Sequence, residues 1–340
     1  MPENNGSKPA RPDVLRTASI QLAVTDLAAS RAFYHDVLGL LITYEDSEEI
    51  HLRAFDEYLH HSLVLHKSPV AAMKLLSYRV RSAKDLDLAE RYHLELGCRV
   101  ERVPAGTTRG FGAAVHVEDP FGFPLEFFCE AEHVERFTQR YDAYRPATLM
   151  RLDHANILTS DLPATRQYYL GLGFRLSEEI RDELGTTYAA WMFRKPSVHD
   201  IALTAGDGPR LHHFAFNVQE RQEILNICDL LGALRQAGRI ERGPGHHGVT
   251  NACYLYMRDP DGYRVEVFTQ NYYTGDPDNP LKIWDVHDNQ RRSWWGHSIL
   301  PTWFTEGSQM LTLDGKPRPI LTQSGSMELK AMAGTGADGF

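Results

Sequence analysis

The chain carries one pattern twice. Ser19-Ile20-Gln21-Leu22-Ala23-Val24-Thr25-Asp26-Leu27 is followed by Arg31-Ala32-Phe33-Tyr34 and Leu38-Gly39-Leu40. Far downstream, His154-Ala155-Asn156-Ile157-Leu158-Thr159-Ser160-Asp161-Leu162 is followed by Arg166-Gln167-Tyr168-Tyr169 and Leu172-Gly173-Phe174. A second pair also matches: Asp119-Pro120-Phe121-Gly122 leading to Phe128, and Asp259-Pro260-Asp261-Gly262 leading to Phe268. A repeat of this length implies two similarly built halves, 13–145 and 146–272.

Each half divides again. Residues 17–25 alternate like a strand, and Asp26 is placed to cap a helix ending near Gly39. Short strands follow, and the pattern restarts with strand 74–81 and helix 83–96. The second half repeats the order: strand 151–158, helix 161–171, strand 211–218, helix 220–236, each helix followed by three short strands. The Asp-Pro-Asp-Gly run at 259–262 predicts a hairpin turn. The expectation is an α+β fold of four βαβββ modules paired into two domains. Residues 273–340 form an extension rich in Asp, Pro, Trp and Gly, with a mobile end expected from Ser324.

Net charge is −9 and no long basic run appears, which argues against a nucleic-acid partner. No apolar stretch approaches the ~20 residues of a membrane span, and the polar segment Met1 to Pro12 lacks a signal-peptide core. Cys98, Cys129, Cys228 and Cys253 show no CxxC spacing and read as reduced thiols of a cytoplasmic protein.

Three ionisable residues stand in apolar, strand-like segments of the second half: His154, His213 and Glu266. Buried groups of this kind need partners. Two neutral imidazoles and a carboxylate suit a divalent iron-type metal and leave coordination positions open. Zinc is less favoured, because no cysteine accompanies the set. The repeat serves as an internal control: His154 aligns with Ser19, His213 with about Ser77, and Glu266 with Glu126, so the first half lacks two of three donors and is expected to be a structural and interface domain without metal. The position related by symmetry to Glu266 falls near Ile201. His212 competes with His213, but strand alternation is expected to turn it to the other face.

The four-module plan with His, His and Glu in its second half resembles the type I extradiol ring-cleaving dioxygenases of the vicinal oxygen chelate superfamily, over roughly residues 13–310. His199, Arg242, His247, Tyr256, the Arg291-Arg292 pair and Trp303 carry a closer likeness to those members that act on 3,4-dihydroxyphenylacetate. The resemblance implies Fe(II), with Mn(II) acceptable to the same donors, a catechol and O2 as small-molecule partners, and a homotetramer. It implies cleavage of the ring beside the diol to 5-carboxymethyl-2-hydroxymuconate semialdehyde. His199, two residues before Ile201 and expected on the same strand face, would then be the acid–base residue, and Tyr256 would bond a substrate oxygen. Asn156, Trp191 and His247 would wall the pocket, the last from a flexible glycine-rich loop at 243–248. Arg292, with Arg291 and Arg242, would hold a planar carboxylate.

Three other readings compete. A catechol 2,3-dioxygenase acting on catechol or a substituted catechol needs no arginine cluster. A glyoxalase-like isomerase needs a fourth protein ligand. A non-enzymatic sequestering protein of the same fold needs no metal triad.

Overall fold

A computed structural model describes residues 10–322. The expected mobile end from Ser324 and most of the polar N-terminal segment lie outside the described residues. The first half contains β1 (Val14–Val24), α1 (Leu27–Arg31), β2 (Leu41–Glu45), β3 (Glu49–Arg53), β4 (Leu63–Lys67), β5 (Ala72–Val80), α2 (Ala83–Glu95), β6 (Arg99–Val103), β7 (Ala114–Glu118) and β8 (Pro124–Phe128). The second contains β9 (Arg151–Thr159), α3 (Leu162–Gly171), β10 (Arg175–Arg181), β11 (Thr187–Phe193), β12 (Ile201–Ala205), β13 (Arg210–Asn217), α4 (Arg221–Ala233), β14 (Ile240–His246), β15 (Cys253–Arg258) and β16 (Arg264–Thr269). The extension adds β17 (Lys282–Asp285) and α5 (Thr302–Thr305).

These strands form two mixed sheets of one plan. The first runs β2-β3-β4-β1-β5-β8-β7-β6. The second, read in the same sense, runs β10-β11-β12-β9-β13-β16-β15-β14, with β17 added beside β10. The four βαβββ modules are therefore present. In each sheet the opening strands of its two modules meet antiparallel at the centre.

Local chemistry starts the helices where the sequence implies. Asp26 Oδ1 accepts from Ala29 N at 2.9 Å, and Asp161 Oδ1 accepts from Ala164 N at 3.0 Å. The helix expected to reach Gly39 is α-helical only to Arg31 and continues as a π-turn over Ala32–Val37, where Leu38 N bonds Phe33 O at 3.0 Å. Gly262 (φ +86°) closes the 259–262 turn, with Asp259 Oδ1 accepting from Asp261 N and Tyr263 N.

Period-two alternation decides what the second sheet presents. Ala155, Ile157, Val265, Val267, Ile201 and Leu203 face the helix-covered core. His154, Asn156, Glu266 and Thr204 face the opposite, concave side. A register shift between Leu211 and His213 breaks the alternation in β13. Leu211 packs in the core, whereas His212 and His213 both reach the concave side. The expectation that alternation separates the two histidines is therefore wrong, and the cause is the extra residue of a bulge.

The ladders also correct two alignments. Glu126 pairs with Ser77, and Glu266 pairs with Ala215, so Ser77 matches Ala215 and Leu75 matches His213. On the other side of the pseudo-twofold axis, Ala202 pairs with Asn156 as Glu266 pairs with Ala215. The position related to Glu266 is thus Ala202, not Ile201, which is a core residue. Both corrections leave the chemistry unchanged, since Leu75 and Ala202 cannot ligate. The residues before β12 are irregular, so His199 reaches the concave side from a bend and not by strand parity with Ile201. The segment expected as a flexible loop at 243–248 is largely strand: Arg242 pairs with Tyr256 and Gly245 with Tyr254. Gly243 (φ +101°) makes the bulge possible, since a Cβ there would fall 2.8 Å from Tyr254 O.

Candidate metal centre and active site

His154 arrives on the central strand β9, His213 on β13 and Glu266 on β16, so three neighbouring strands supply three donors. Glu266 Oε2 lies 3.0 Å from His154 Nε2 and 3.3 Å from His213 Nε2. All three residues are buried.

The outer nitrogens fix the tautomers. Asp153 Oδ2 lies 2.9 Å from His154 Nδ1 and, as a carboxylate, can only accept. A proton of His154 therefore sits on Nδ1. Burial opposes ionisation of this ring, but its contacts with Asp153 and Glu266 outweigh that and raise its pKa, so Nε2 gives its lone pair to a cation in exchange for the proton it shares with Glu266. His212 Nε2 donates to Trp303 O at 2.8 Å, which leaves His212 Nδ1 to accept from His213 Nδ1 at 2.7 Å. His213 Nε2 is therefore a bare lone pair. Burial opposes ionisation of Glu266, but its contacts with His154 and His213 outweigh this and hold the carboxyl well below its usual range. Burial, opposed by Glu266, brings His213 down to about 4. Two imidazole nitrogens and one carboxylate oxygen converge, a set that fits a divalent metal taking the place of the shared proton, and the carboxylate behind His154 is the support usual behind a metal-binding imidazole. No fourth donor enters from Ala202.

One cavity of about 760 Å³, open mouth included, contains this centre. Every site residue named from the sequence lines it: His154, Asn156, Trp191, His199, His213, Arg242, His247, Tyr256, Glu266, Arg291 and Arg292. The His199 ring sits 3.7 Å from that of His154, centroid to centroid. Burial, then the neighbouring His154 and Lys195, lower the pKa of His199 well below its ordinary value. Its Nδ1 has no hydrogen-bond partner among the described residues. Lys195 holds the backbone here, with Nζ donating to Asp153 O at 2.6 Å and His199 O at 2.7 Å.

Tyr256 pairs with Glu266 across the ladder, and its ring lies 5.3 Å from that of His213. His247 Nδ1 donates to Arg292 O at 2.8 Å, so its Nε2, 2.9 Å from Tyr256 Oη, accepts the phenolic proton. Burial, reinforced by Glu266, keeps Tyr256 protonated far into alkaline pH. The extension contributes the far wall. Arg242 Nη2 donates to Arg292 O at 2.8 Å, and its guanidinium lies 4.4 Å over the Trp303 ring. Arg292 lies 5.0 Å over Phe304.

Several lining or supporting residues were missed from the sequence. Thr204 Oγ1 bonds Asn156 Oδ1 at 3.0 Å. Thr250, at φ +61°, donates its amide to Glu178 Oε1 at 2.7 Å. Glu178 also takes the Tyr272 hydroxyl and the Trp284 indole N–H. Among the groups that support the three donors, Asp153 alone had a local signal, a carboxylate next to a candidate donor.

A family model described as the glyoxalase/bleomycin resistance protein/dioxygenase superfamily matches residues 16–127 and 151–267. The chain belongs to this superfamily. It is 30% identical over 304 residues to a manganese-dependent 2,3-dihydroxybiphenyl 1,2-dioxygenase of Geobacillus genomosp. 3, covering 85% of this chain and 96% of that one. It is 29% identical to a metapyrocatechase of Geobacillus stearothermophilus, covering 88% and 95%. Among solved structures, homoprotocatechuate 2,3-dioxygenase of Brevibacterium fuscum in its anaerobic complex with 3,4-dihydroxyphenylacetate matches with a TM-score of 0.91 at 57% identity, covering 94% of this chain and 100% of that one. The chain is an extradiol ring-cleaving dioxygenase of the vicinal oxygen chelate fold.

Proposed function

We propose that the substrate is 3,4-dihydroxyphenylacetate, cleaved between C2 and C3 with both atoms of O2 entering the product, 5-carboxymethyl-2-hydroxymuconate semialdehyde. The observation that carries this reading is that Arg242, Arg291 and Arg292 line the same cavity as the three-donor centre. A catechol with an acetate arm has a diol for one end and a carboxylate for the other. The solved relative named above binds this compound.

His154, His213 and Glu266 would hold the metal, Fe(II) by resemblance, with Mn(II) suited to the same donors and used by one relative. When bound, it would supply Lewis acidity toward the diol and an electron path between catechol and dioxygen. The protein groups manage protons and position. Tyr256 has already given its proton to a hydrogen bond with His247, so its oxygen accepts from a substrate hydroxyl. His199 is neutral at rest and takes a proton only when charge develops beside it, which suits a group that receives a hydroxyl proton and returns it later. Asn156 is anchored by Thr204, and Trp191 closes the apolar side with Ile180 and Ala189.

The test compares kcat/KM for 3,4-dihydroxyphenylacetate and 4-methylcatechol in the Fe(II)-loaded parent and in Arg292→Ala. A charged hydrogen bond is worth about 1.5–3 kcal/mol. Its loss should reduce the ratio by roughly 10- to 150-fold, since ~1.4 kcal/mol is tenfold. An unchanged ratio would favour catechol or a simple alkylcatechol, the substrate class of a metapyrocatechase.

A further inference from the structure

The first half holds a second set of converging imidazoles, away from the copy of the catalytic positions at Ser19, Leu75 and Glu126. His51 lies on β3, and His60 and His61 lie just before β4. All three are buried. His61 Nδ1 is 3.4 Å from His51 Nδ1 and 3.1 Å from His60 Nδ1. One ligand atom from each lies within 4.8 Å of the others. Burial lowers the pKa of every ring, most of all that of His61.

Hydrogen bonding among neutral rings cannot complete this cluster. A neutral imidazole carries one proton. Glu49 Oε1 lies 3.0 Å from His51 Nε2 and only accepts, so that nitrogen holds the His51 proton and Nδ1 shows a lone pair. Protons on both His60 Nδ1 and His61 Nδ1 would collide across 3.1 Å. At most one proton therefore serves two N···N contacts among three nitrogens, whereas buried polar atoms are normally satisfied.

A cation satisfies all three. Nitrogens on one tetrahedral ion, each at about 2.0–2.1 Å, lie about 3.3 Å apart, and the two contacts of 3.1 and 3.4 Å bracket that edge. Glu49 behind His51 repeats the carboxylate support seen behind His154. The rings are also fixed in place. Phe111 stacks on His61 at 4.3 Å, and His60 packs so close to Gly110 that a Cβ there would fall 2.4 Å from its Cγ. An all-imidazole set favours zinc-like ions over Mn(II) or Mg(II), which take oxygen donors.

We propose that His51, His60 and His61 bind a second divalent ion, of the zinc type, through their Nδ1 atoms, with a small exogenous ligand in the fourth position. The ion would clip the 54–62 segment to β3 and take no part in ring cleavage.

Co(II) titration of the chelator-stripped full chain tests this, followed by visible absorption and bound metal per chain. The parent should bind two equivalents, one giving the intense bands of a four-coordinate nitrogen site. His51→Phe and His60→Gln should each bind one, lose those bands, and keep Fe(II)-dependent ring cleavage, which also shows that they fold. His213→Ala should lose the other equivalent and keep the bands. A parent that binds a single equivalent, lost in His213→Ala, overturns the proposal. So does a second equivalent that survives in both His51→Phe and His60→Gln.

Discussion

The choice between His212 and His213 turns on a proton. Both residues are buried against the cavity, so burial does not separate them. What separates them is Trp303 O, which takes the Nε2 proton of His212 and leaves that ring as an acceptor for His213. His213→Ala should therefore abolish metal binding and activity. His212→Ala should keep the metal but bind it more weakly, by roughly 10- to 100-fold, the usual effect of losing a group that orients a ligand. Competition against a chelator of known affinity measures both. Equal loss in the two variants would mean that His212 itself ligates. The triad was legible in the sequence because ionisable residues recurred at repeat-related places in apolar strands. The proton relay behind it was not, because its last member is a backbone carbonyl some 90 residues away, at Trp303.

At the scale of elements, the repeated Asp-Pro-x-Gly turns show how a sequence signal acquires physical consequences only in the fold. Asp259 Oδ2 accepts the Tyr34 hydroxyl from the other half at 2.8 Å, while Oδ2 of its counterpart Asp119 is buried without a partner among the described residues. Burial, against their backbone hydrogen bonds, pushes both carboxyls up to about 7. An aspartate in the unfolded chain titrates near 3.9. The fold thus holds the proton more tightly, and this contribution is complete below about pH 4 and is lost as pH rises through about 7. Asp259→Asn keeps the Oδ1 acceptor and removes the titration. The stability of the parent relative to this variant should fall between pH 5 and pH 8, by no more than about 1.4 kcal/mol per pH unit. Urea midpoints at the two pH values check it. A difference that grows with pH would show that Tyr34 and the backbone amides keep Asp259 ionised. Strand and helix order was readable from periodicity, but the β13 bulge and the Ala202 register were not. A one-residue shift depends on which strand lies alongside, and pattern within a strand does not record its neighbour.

Across the whole molecule, the two sheets share one core. The hydrophobic cluster is continuous from Ile20 and Tyr78 to Tyr169 and Phe214, and Tyr78 Oη bonds Tyr169 Oη at 3.3 Å. Polar ties reinforce it: Thr17 N donates to Asp200 Oδ1 at 2.9 Å, and Tyr263 Oη to Ala23 O at 2.7 Å. The extension, compositionally plain in the sequence, proves to be a strap. Ser308 bridges to Leu211, Met310 to Met73, and Arg318 pairs with Glu118. Nothing in its residues predicted this path, because its partners lie in both halves. A shared core and a strap imply that the halves unfold together, although chains with two units of this size often do not. The sequence supplies its own probe. All five tryptophans, Trp191, Trp284, Trp294, Trp295 and Trp303, lie in the second half or the extension, so indole fluorescence reports that part alone. Far-ultraviolet circular dichroism reports both sheets. The two signals should trace one coincident urea transition in the metal-loaded protein. Stripping the metal, which binds only the folded state, should move both midpoints to lower urea together. A fluorescence transition that shifts alone would mean that the first sheet is stable without the second, and that the shared core couples them less strongly than its continuity implies.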